Sequence, residues 1–171
     1  MIRTAQQSDV RNLSVLSIHV WLHTYAKTGI ISAYSDYLRQ HFTENNFMDA
    51  ISNPDQEIWI YETNSALQGF LVIKKMSPCP EQESCLTEID SFYVHSRVAR
   101  KGIGTALLNQ AFKSCEEKGI SQVWLSVHHE NNVALNFYNK HSFKNIGSLM
   151  FELKDGQHKN NVLFKDLTLS P

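Results

Sequence analysis

Apolar residues follow helical spacing in five segments of the chain. In the first segment Leu13, Leu16 and Trp21 recur at intervals that place them on one face of a helix. Cap residues mark some of the ends, with Thr43 as a candidate N-cap and Gly119 as a C-terminal cap. The predicted helices span residues 9–24, 33–42, 43–51, the segment between 104 and 119, and 134–141.

Alternating or uninterrupted apolar positions predict about seven strands. The turn residues Asn64 and Ser65 join two of them into a hairpin. The predicted strands span residues 2–4, 58–63, 69–76, 86–94, 123–127, 146–152 and 162–169. Because strands and helices interleave, the expected fold class is α/β (α+β) with a mixed sheet. We find no repeat and no linker, so residues 1–171 are expected to form one domain.

Composition and charge argue against several classes of protein. The 171 residues carry 16 Lys and Arg against 17 Asp and Glu, a formal charge of -1. Because nucleic-acid binding needs a basic surface, we expect no nucleic-acid partner. The three cysteines show no zinc-ligand spacing, which predicts no metal site and is typical of a reducing cytoplasm. The polar start of the chain and the absence of a ~18-residue apolar run predict neither signal peptide nor membrane anchor.

A basic loop with two glycines lies between the predicted strand 86–94 and the helix after it. Gly102 and Gly104 let the backbone approach a ligand closely, and the N–H groups at a helix start bind anions. Arg100 and Lys101 add positive charge that attracts a polyanion. The loop is not a P-loop, because no Gly-Lys-Ser/Thr follows. It predicts a phosphate-bearing ligand, with a plain helix start as the alternative.

A second group of residues lies on the last predicted helix. Ala134, Phe137, Tyr138 and His141 share one face by their spacing, and that face is expected to point inward. A tyrosine in such a place is either a core residue with a satisfied hydroxyl or a proton donor. Asn131 stands just before this helix.

Together these segments resemble the GNAT acyltransferase superfamily. In the family's order and spacing, they are Phe92-Tyr93-Val94, residues 100–108, and Asn131-x-x-Ala134-x-x-Phe137-Tyr138-x-Lys140-x-x-Phe143. Two positions depart from the family pattern, with Ala99 in place of Gln or Arg and Ser142 in place of glycine. The resemblance implies a single GNAT-like domain whose central, mixed and mostly antiparallel sheet of about seven strands is flanked by helices.

The resemblance also implies acetyl-CoA as co-substrate. Its pyrophosphate would lie on the N–H groups of the glycine loop and its pantetheine arm along the preceding strand. Asn131 would hydrogen-bond the pantetheine or the ADP end, and Tyr138 would protonate the departing thiolate. The residues implied in coenzyme binding are Phe92, Tyr93, Val94, Arg100, Lys101, Gly102, Ile103, Gly104, Thr105, Asn131, Tyr138 and Lys140.

Two carboxylates before the loop are candidates for a general base. An amine acceptor is protonated at neutral pH, so a proton must leave before the nitrogen attacks a thioester. In a regular strand Glu88 and Asp90 share one face with Phe92 and Val94, the carboxylates about 7 Å apart; a bulge would break this alternation. Glu88 is the first choice, acting through water, and Asp90 is the second. Solvated or ion-paired carboxylates are the alternative.

The acidic residues of this region favour a cationic acceptor if the loop borders the pocket. Glu81, Glu83, Glu88 and Asp90 fall in a stretch without Lys or Arg. The segment 143–152 is also similar to the bacterial spermidine/spermine N-acetyltransferase subgroup. We therefore expect a small primary amine such as a polyamine. The alternatives are a peptide or protein amino terminus, or an inactive acetyl-CoA-binding sensor.

The remaining features carry weaker expectations. His128 and His129 are expected on a loop surface and not as metal ligands. Edge strands near the C-terminal end can pair across a homodimer, although no residue pattern requires one. Five aromatic residues of the N-terminal half either cover the acceptor pocket or belong to the core, with core favoured for the first by its spacing. They are Trp21, His23, Tyr25, Tyr34 and Tyr37.

Overall fold

The computed structural model describes residues 1–168, in which five helices and seven strands follow one another. The strands are β1 (Ile2–Thr4), β2 (Gln56–Thr63), β3 (Ala66–Lys74), β4 (Glu88–Val94), β5 (Gln122–His128), β6 (Lys144–Leu153) and β7 (Gly156–Asp166). The helices are α1 (Val10–Tyr25), α2 (Ser32–His41), α3 (Glu44–Ser52), α4 (Ile103–Glu117) and α5 (Asn132–Lys140). Each element expected from the sequence is present; β1 has the expected bounds, and the ends of the others are shifted.

All seven strands join one mixed sheet in the order β1-β2-β3-β4-β5-β7-β6. Every neighbouring pair is antiparallel except β4 and β5, which are parallel. The connection between these two strands passes through α4, as a parallel pair requires. The expected α/β class with a mixed, mostly antiparallel sheet is confirmed.

β4 and β5 touch only at their beginnings. Glu88 of β4 pairs with Trp124 of β5, and the Trp124 N–H donates to the Thr87 carbonyl at 3.0 Å. No other pair joins the two strands within residues 1–168. A gap therefore opens in the middle of the sheet towards the C-terminal ends of both strands.

Helices cover both faces of the sheet and create two separate cores. On one face α1 and α3 pack over Ile58, Ile60 and Phe70. On the other face α4 and α5 pack over Leu71 and Leu125. These five residues are fully or almost fully buried. The gap between β4 and β5 is thus bordered by one helical layer on each side.

The local turn and cap signals have their expected geometry. Asn64 and Ser65 have φ of 50° and 60°, the left-handed conformation that a tight hairpin turn needs. The Thr43 hydroxyl accepts a hydrogen bond from the Asn46 N–H at 3.1 Å and so caps α3. Gly119 has φ of 72° after the last turn of α4, as expected for a C-terminal cap.

The last two strands are longer than the sequence indicates. β7 begins at Gly156 instead of residue 162, because its polar first half pairs with β6 without burying apolar side chains. Of the expected strand 162–169, residue 169 lies outside the described residues. Among the described residues, no helix is both long and apolar enough to cross a lipid bilayer.

Candidate active site

A β-bulge at Asp90 changes the side-chain alternation of β4. Across the pair with β3, Ser91 lies opposite Val72 and Ile89 lies opposite Ile73, so Asp90 has no opposite residue. A bulge of this kind inserts one residue and bends the strand locally. The two ends of β4 are therefore out of phase with each other.

The bulge overturns part of the expected arrangement of β4. Phe92 and Val94 pack on the α4 side of the sheet, whereas Tyr93 faces the α1–α3 side. The shared face expected for a regular strand is therefore absent, and the alternative of a bulge applies, because the extra residue shifts the alternation by one. Both carboxylates nevertheless line a single cavity.

That cavity, of about 470 Å³, lies on the α1–α3 side and reaches across the gap from β4 to β5. Besides Glu88 and Asp90, its wall combines polar side chains with five aromatic ones: Tyr37, Phe42, Phe47, Tyr93 and Phe151. A second cavity of about 380 Å³, beside His19 and His95, contains no carboxylate. The larger cavity is therefore the candidate acceptor site.

Glu88 has the environment of a proton acceptor. Its Oε2 accepts a hydrogen bond from the Ser77 hydroxyl at 2.6 Å. Burial raises the pKa of the Glu88 carboxyl, and the negative charge of Asp90 raises it further. The Ser77 hydrogen bond lowers this pKa, and Lys74 lowers it more weakly. A raised pKa brings a carboxylate closer to the working pH of a general base. Asp90 is exposed and accepts from the Ser91 hydroxyl at 2.9 Å.

The segment 81–90, which carries four acidic residues, contributes fewer negative charges to the cavity than expected. Glu83 is exposed and does not line it, and the Glu81 side chain lies against the backbone of Gly147 in β6. Lys74, which pairs in register with Glu88, lines the cavity as well. The expectation of four acidic residues is corrected to two, because the loop before β4 packs over the sheet instead of bordering the cavity.

On the opposite side of the sheet, the start of α4 forms a candidate anion site. Arg100 and Gly102 adopt left-handed φ values of 64° and 84°. The first helical N–H with an acceptor is that of Ala106, which donates to the Gly102 carbonyl at 2.9 Å. Within the described chain, the N–H groups of residues 103–105 have no acceptor. Three unpaired donors at a helix start fit a phosphate group.

The side chains around this anion site are basic and unpaired. Arg100, Lys101 and Lys140 are exposed, and none of them forms an ion pair with another described residue. Gly104 allows α4 to approach α5, because a Cβ at this position would lie 3.3 Å from the ring of Phe137. The N–H donors thus belong to the same segment as Arg100 and Lys101, and this segment lies next to α5, which carries Lys140.

Tyr138 is buried in the α4–α5 core beside the gap. Its ring centre lies 6.3 Å from that of Phe92 on β4 and 5.4 Å from that of Phe143. The hydroxyl has no hydrogen-bond partner among the described residues. Burial raises the pKa of the Tyr138 phenol, with a smaller contribution from Tyr25. The phenol therefore keeps its proton at neutral pH, as a proton donor must.

Asn131 has a structural role that sequence analysis did not assign. Its side-chain oxygen accepts a hydrogen bond from the Ala134 N–H at 3.2 Å and caps α5. The side-chain NH₂ makes no hydrogen bond to another described residue, so it is free to donate to a ligand. The cap and a ligand contact are therefore compatible.

Several polar residues of the cavity region were not predicted from the sequence, and two of them lie on β5 and on the loop before β4. Ser126 lines the cavity from β5, and Ser77 reaches Glu88 from the loop between β3 and β4. A polar residue within the apolar run 123–127 was a usable signal for Ser126. No local pattern marks Ser77, because it meets Glu88 only through the folding of the loop.

Of the aromatic residues expected in the core or at the pocket, some are buried in the core and others line the cavity. One of the two histidines expected on a loop lies in a strand. Trp21 is buried, as its spacing predicts, whereas Tyr37 lines the cavity. His128 is the last residue of β5 and not a loop residue, and its ring contacts that of Tyr25 at 5.8 Å. No group of three or more His, Cys, Asp or Glu in the described part of the chain is placed to hold a metal ion.

Comparison with known proteins identifies the family. A model described as "Acetyltransferase (GNAT) family" matches residues 17–143. The chain is 27% identical to spermidine N(1)-acetyltransferase of Thermoplasma acidophilum over 147 residues, which cover 84% of this chain and 87% of that protein. It is 22% identical to an uncharacterized N-acetyltransferase of Lactobacillus delbrueckii subsp. lactis, over 94% of each chain.

Solved structures share the fold. The crystal structure of PaiA N-acetyltransferase from Thermoplasma acidophilum in complex with coenzyme A superposes with a TM-score of 0.76 at 23% identity, covering 97% of this chain and 98% of that one. The ribosomal-protein-S18-alanine N-acetyltransferase from Escherichia coli gives 0.69 at 14% identity, covering 100% and 96%. The family match identifies the protein as an acetyltransferase. The chain belongs to the GNAT acetyltransferase family.

Proposed function

We propose that the protein is an acetyl-CoA-dependent N-acetyltransferase that acetylates a primary amine of a small cationic acceptor by direct attack in a ternary complex. The observation that carries this proposal is the gap between β4 and β5, with a backbone anion site on one side and a carboxylate-lined cavity on the other. The single sheet supports one catalytic domain over residues 1–171. A cytoplasmic location and a homodimer stay predictions from the sequence.

The chain offers a continuous set of groups to the coenzyme. The N–H groups of residues 103–105 fit its pyrophosphate, and Arg100, Lys101 and Lys140 attract its phosphates. Along Phe92, Tyr93 and Val94, the edge of β4 that faces β5 has no ladder partner among residues 1–168, so its backbone groups are available to an amide-bearing arm. When bound, acetyl-CoA supplies the acetyl thioester.

Two residues move the protons of the transfer. Glu88 takes one proton from the acceptor ammonium through a water, which frees the nitrogen lone pair to attack the acetyl carbonyl. Tyr138 gives its phenolic proton to the departing sulfur. The nitrogen loses its second proton to solvent when the tetrahedral intermediate collapses to the amide. Glu88 thus gains one proton and Tyr138 loses one, exchange with solvent restores both, and the whole transfer releases one proton. Asp90, exposed at the cavity, attracts the cationic acceptor and is the second candidate for the base.

A polyamine is the acceptor class that we favour. The relative from Thermoplasma acidophilum is named for spermidine. In this chain, Glu88 and Asp90 outnumber the single lysine of the cavity, Lys74, so the cavity attracts a cation. The faces of Tyr37 and Phe151 on its wall suit the further ammonium groups of an elongated amine.

The test is release of free CoA thiol from acetyl-CoA, with spermidine, spermine, lysine, an aminoglycoside and a short peptide as parallel acceptors. We expect release with the polyamines above the rate without acceptor. Release with the peptide alone would keep the acetyltransferase and overturn the acceptor class. If no acceptor gives thiol release while acetyl-CoA still raises the melting temperature, the result would favour a coenzyme-binding sensor instead.

A further inference from the structure

We propose that Ser77 is a positioning residue for the candidate base Glu88, an inference that rests on the proposed function. The Ser77 hydroxyl donates to Glu88 Oε2 at 2.6 Å. Ser77 belongs to the loop between β3 and β4, outside the segments that carry the family resemblance. With Oε2 occupied, Oε1 has no partner among the described residues and is available to the acceptor or to a bridging water.

The backbone of Ser77 is held by β5 and by the segment just before Glu88. The Ser77 N–H donates to the Leu86 carbonyl at 2.9 Å. The Ser77 carbonyl accepts a hydrogen bond from Trp124 Nε1 at 2.8 Å. Trp124 is also the β5 residue paired with Glu88. The donor and the carboxylate are therefore fixed to one point of the sheet, where β4 and β5 begin to separate.

The loop that carries Ser77 is itself well packed. The Cys79 N–H donates to the Cys85 carbonyl at 2.8 Å, and both cysteine side chains are buried. They pack in one cluster with Trp124. A donor on such a fixed loop restricts the carboxylate to fewer orientations than a mobile side chain would.

The charged groups around Glu88 and the Ser77 hydrogen bond together shift the pKa of the Glu88 carboxyl. Asp90 on β4 disfavours the ionised carboxylate, and Lys74 on β3 favours it. His41 on α2 lines the same cavity. The Ser77 hydrogen bond lowers the pKa of the Glu88 carboxyl, against the larger effect of burial. Loss of the hydroxyl therefore raises that pKa, and less of the base is ionised at acid pH.

The first experiment measures kcat/KM for one amine from about pH 5.5 to 9.5, with saturating acetyl-CoA, for wild type and Ser77→Ala. The acceptor's own titration is common to both profiles. We expect kcat/KM of Ser77→Ala to fall roughly 5- to 10-fold at the acid end and to stay within about twofold on the alkaline plateau. Ser77→Thr, which keeps the hydroxyl, should restore the profile. A loss of equal size at every pH would overturn the proposal.

A matched control comes from the same loop. The Ser84 hydroxyl donates to Gln122 Oε1 at 3.2 Å and has no contact with Glu88, so Ser84→Ala should keep the wild-type profile. If Ser77→Ala does not fold, Trp124→Phe removes the indole N–H that holds the Ser77 carbonyl. Its profile should move in the same direction by a smaller amount, and an unmoved profile would contradict the proposal.

The variant Glu88→Gln separates failure of this inference from failure of the base itself. If Glu88→Gln leaves the acid side of the profile unchanged, Glu88 is not the base and the proposed mechanism is wrong. If Glu88→Gln removes the titration but Ser77→Ala does not shift it, only the role of Ser77 is wrong. With both roles correct, adding Ser77→Ala to Glu88→Gln changes the profile no further.

Discussion

The two sides of the gap between β4 and β5 are built from different parts of the chain. On the α4 side the candidate coenzyme site consists mainly of backbone N–H groups around Gly102. On the α1–α3 side the candidate acceptor site consists of side chains, with Glu88 and Asp90 in an aromatic cavity. A backbone site depends on conformation and tolerates changed side chains, whereas a side-chain site depends on the identity of each residue.

Two positions that depart from the family pattern lie near the candidate coenzyme site, and both can be described from their backbone. The Ala99 N–H donates to the Ser96 carbonyl at 3.3 Å, just before the glycine loop. Ser142 has φ of 62°, a left-handed conformation that favours glycine. The chain therefore adopts at Ser142 a conformation that glycine would hold with less strain.

The largest expected effect is that of Tyr138→Phe. Removing the hydroxyl should lower kcat by about 10- to 100-fold or more, because the sulfur loses its proton donor. The acetyl-CoA Kd should stay within about twofold, since the ring still packs against Phe92 and Phe143. Steady-state kinetics and calorimetry measure the two quantities. Tyr61→Phe, on β2, is the matched control, and unchanged turnover of Tyr138→Phe would remove the acid role.

Gly102→Ala tests the backbone site alone. No atom lies within 4 Å of a Cβ at Gly102, so the change adds strain at φ of 84° without a clash. Left-handed strain of this size corresponds to a roughly tenfold rise in the acetyl-CoA Kd. Gly29→Ala, also at positive φ with open space around it, should leave this Kd unchanged. Equal effects of the two substitutions on the Kd would contradict a local backbone site.

Opposite charge changes in the cavity should move the acceptor KM in opposite directions. Asp90→Asn removes an attractive charge and should raise the KM for spermidine about three- to fivefold. Lys74→Gln removes a repulsive charge and should lower it by about twofold. Glu83→Gln, outside the cavity, is the control. A KM that Asp90→Asn and Glu83→Gln change equally would show that only the overall charge of the protein matters.

The smallest expected effect is that of Ser142→Gly on stability. Glycine relieves the left-handed strain at this position, at some cost in unfolded-state entropy, so the melting temperature should rise by a few degrees. Thermal unfolding measures it, with kcat unchanged as the accompanying expectation. A lower melting temperature would mean that the serine side chain stabilises the turn more than its conformation costs.

The sequence predicts those parts of the molecule that depend on local signals. Helical spacing gives α1 to α5, the Asn64-Ser65 turn gives the β2–β3 hairpin, and the position of Gly102 marks the start of α4. Which side chains line the cavity depends instead on the register between neighbouring strands. The bulge at Asp90 exists only in the pairing of β3 with β4, and no periodicity along one strand reveals it.

The contact between Ser77 and Glu88 was unpredictable for the same reason. It requires the loop before β4 to fold back over Trp124, which belongs to a strand far along the chain. Local patterns therefore predict a backbone-built site well. They predict a side-chain-built site only as a set of candidate residues.

The most direct test of this account is the acetyl-CoA Kd of the double variant Glu88→Gln/Asp90→Asn, measured together with its turnover of a polyamine. We predict that the Kd stays within about twofold of wild type while kcat/KM for the amine falls by roughly 50-fold or more. Such a result would mean that the two sides of the gap act separately. A Kd that rises in parallel with the loss of turnover would contradict the account.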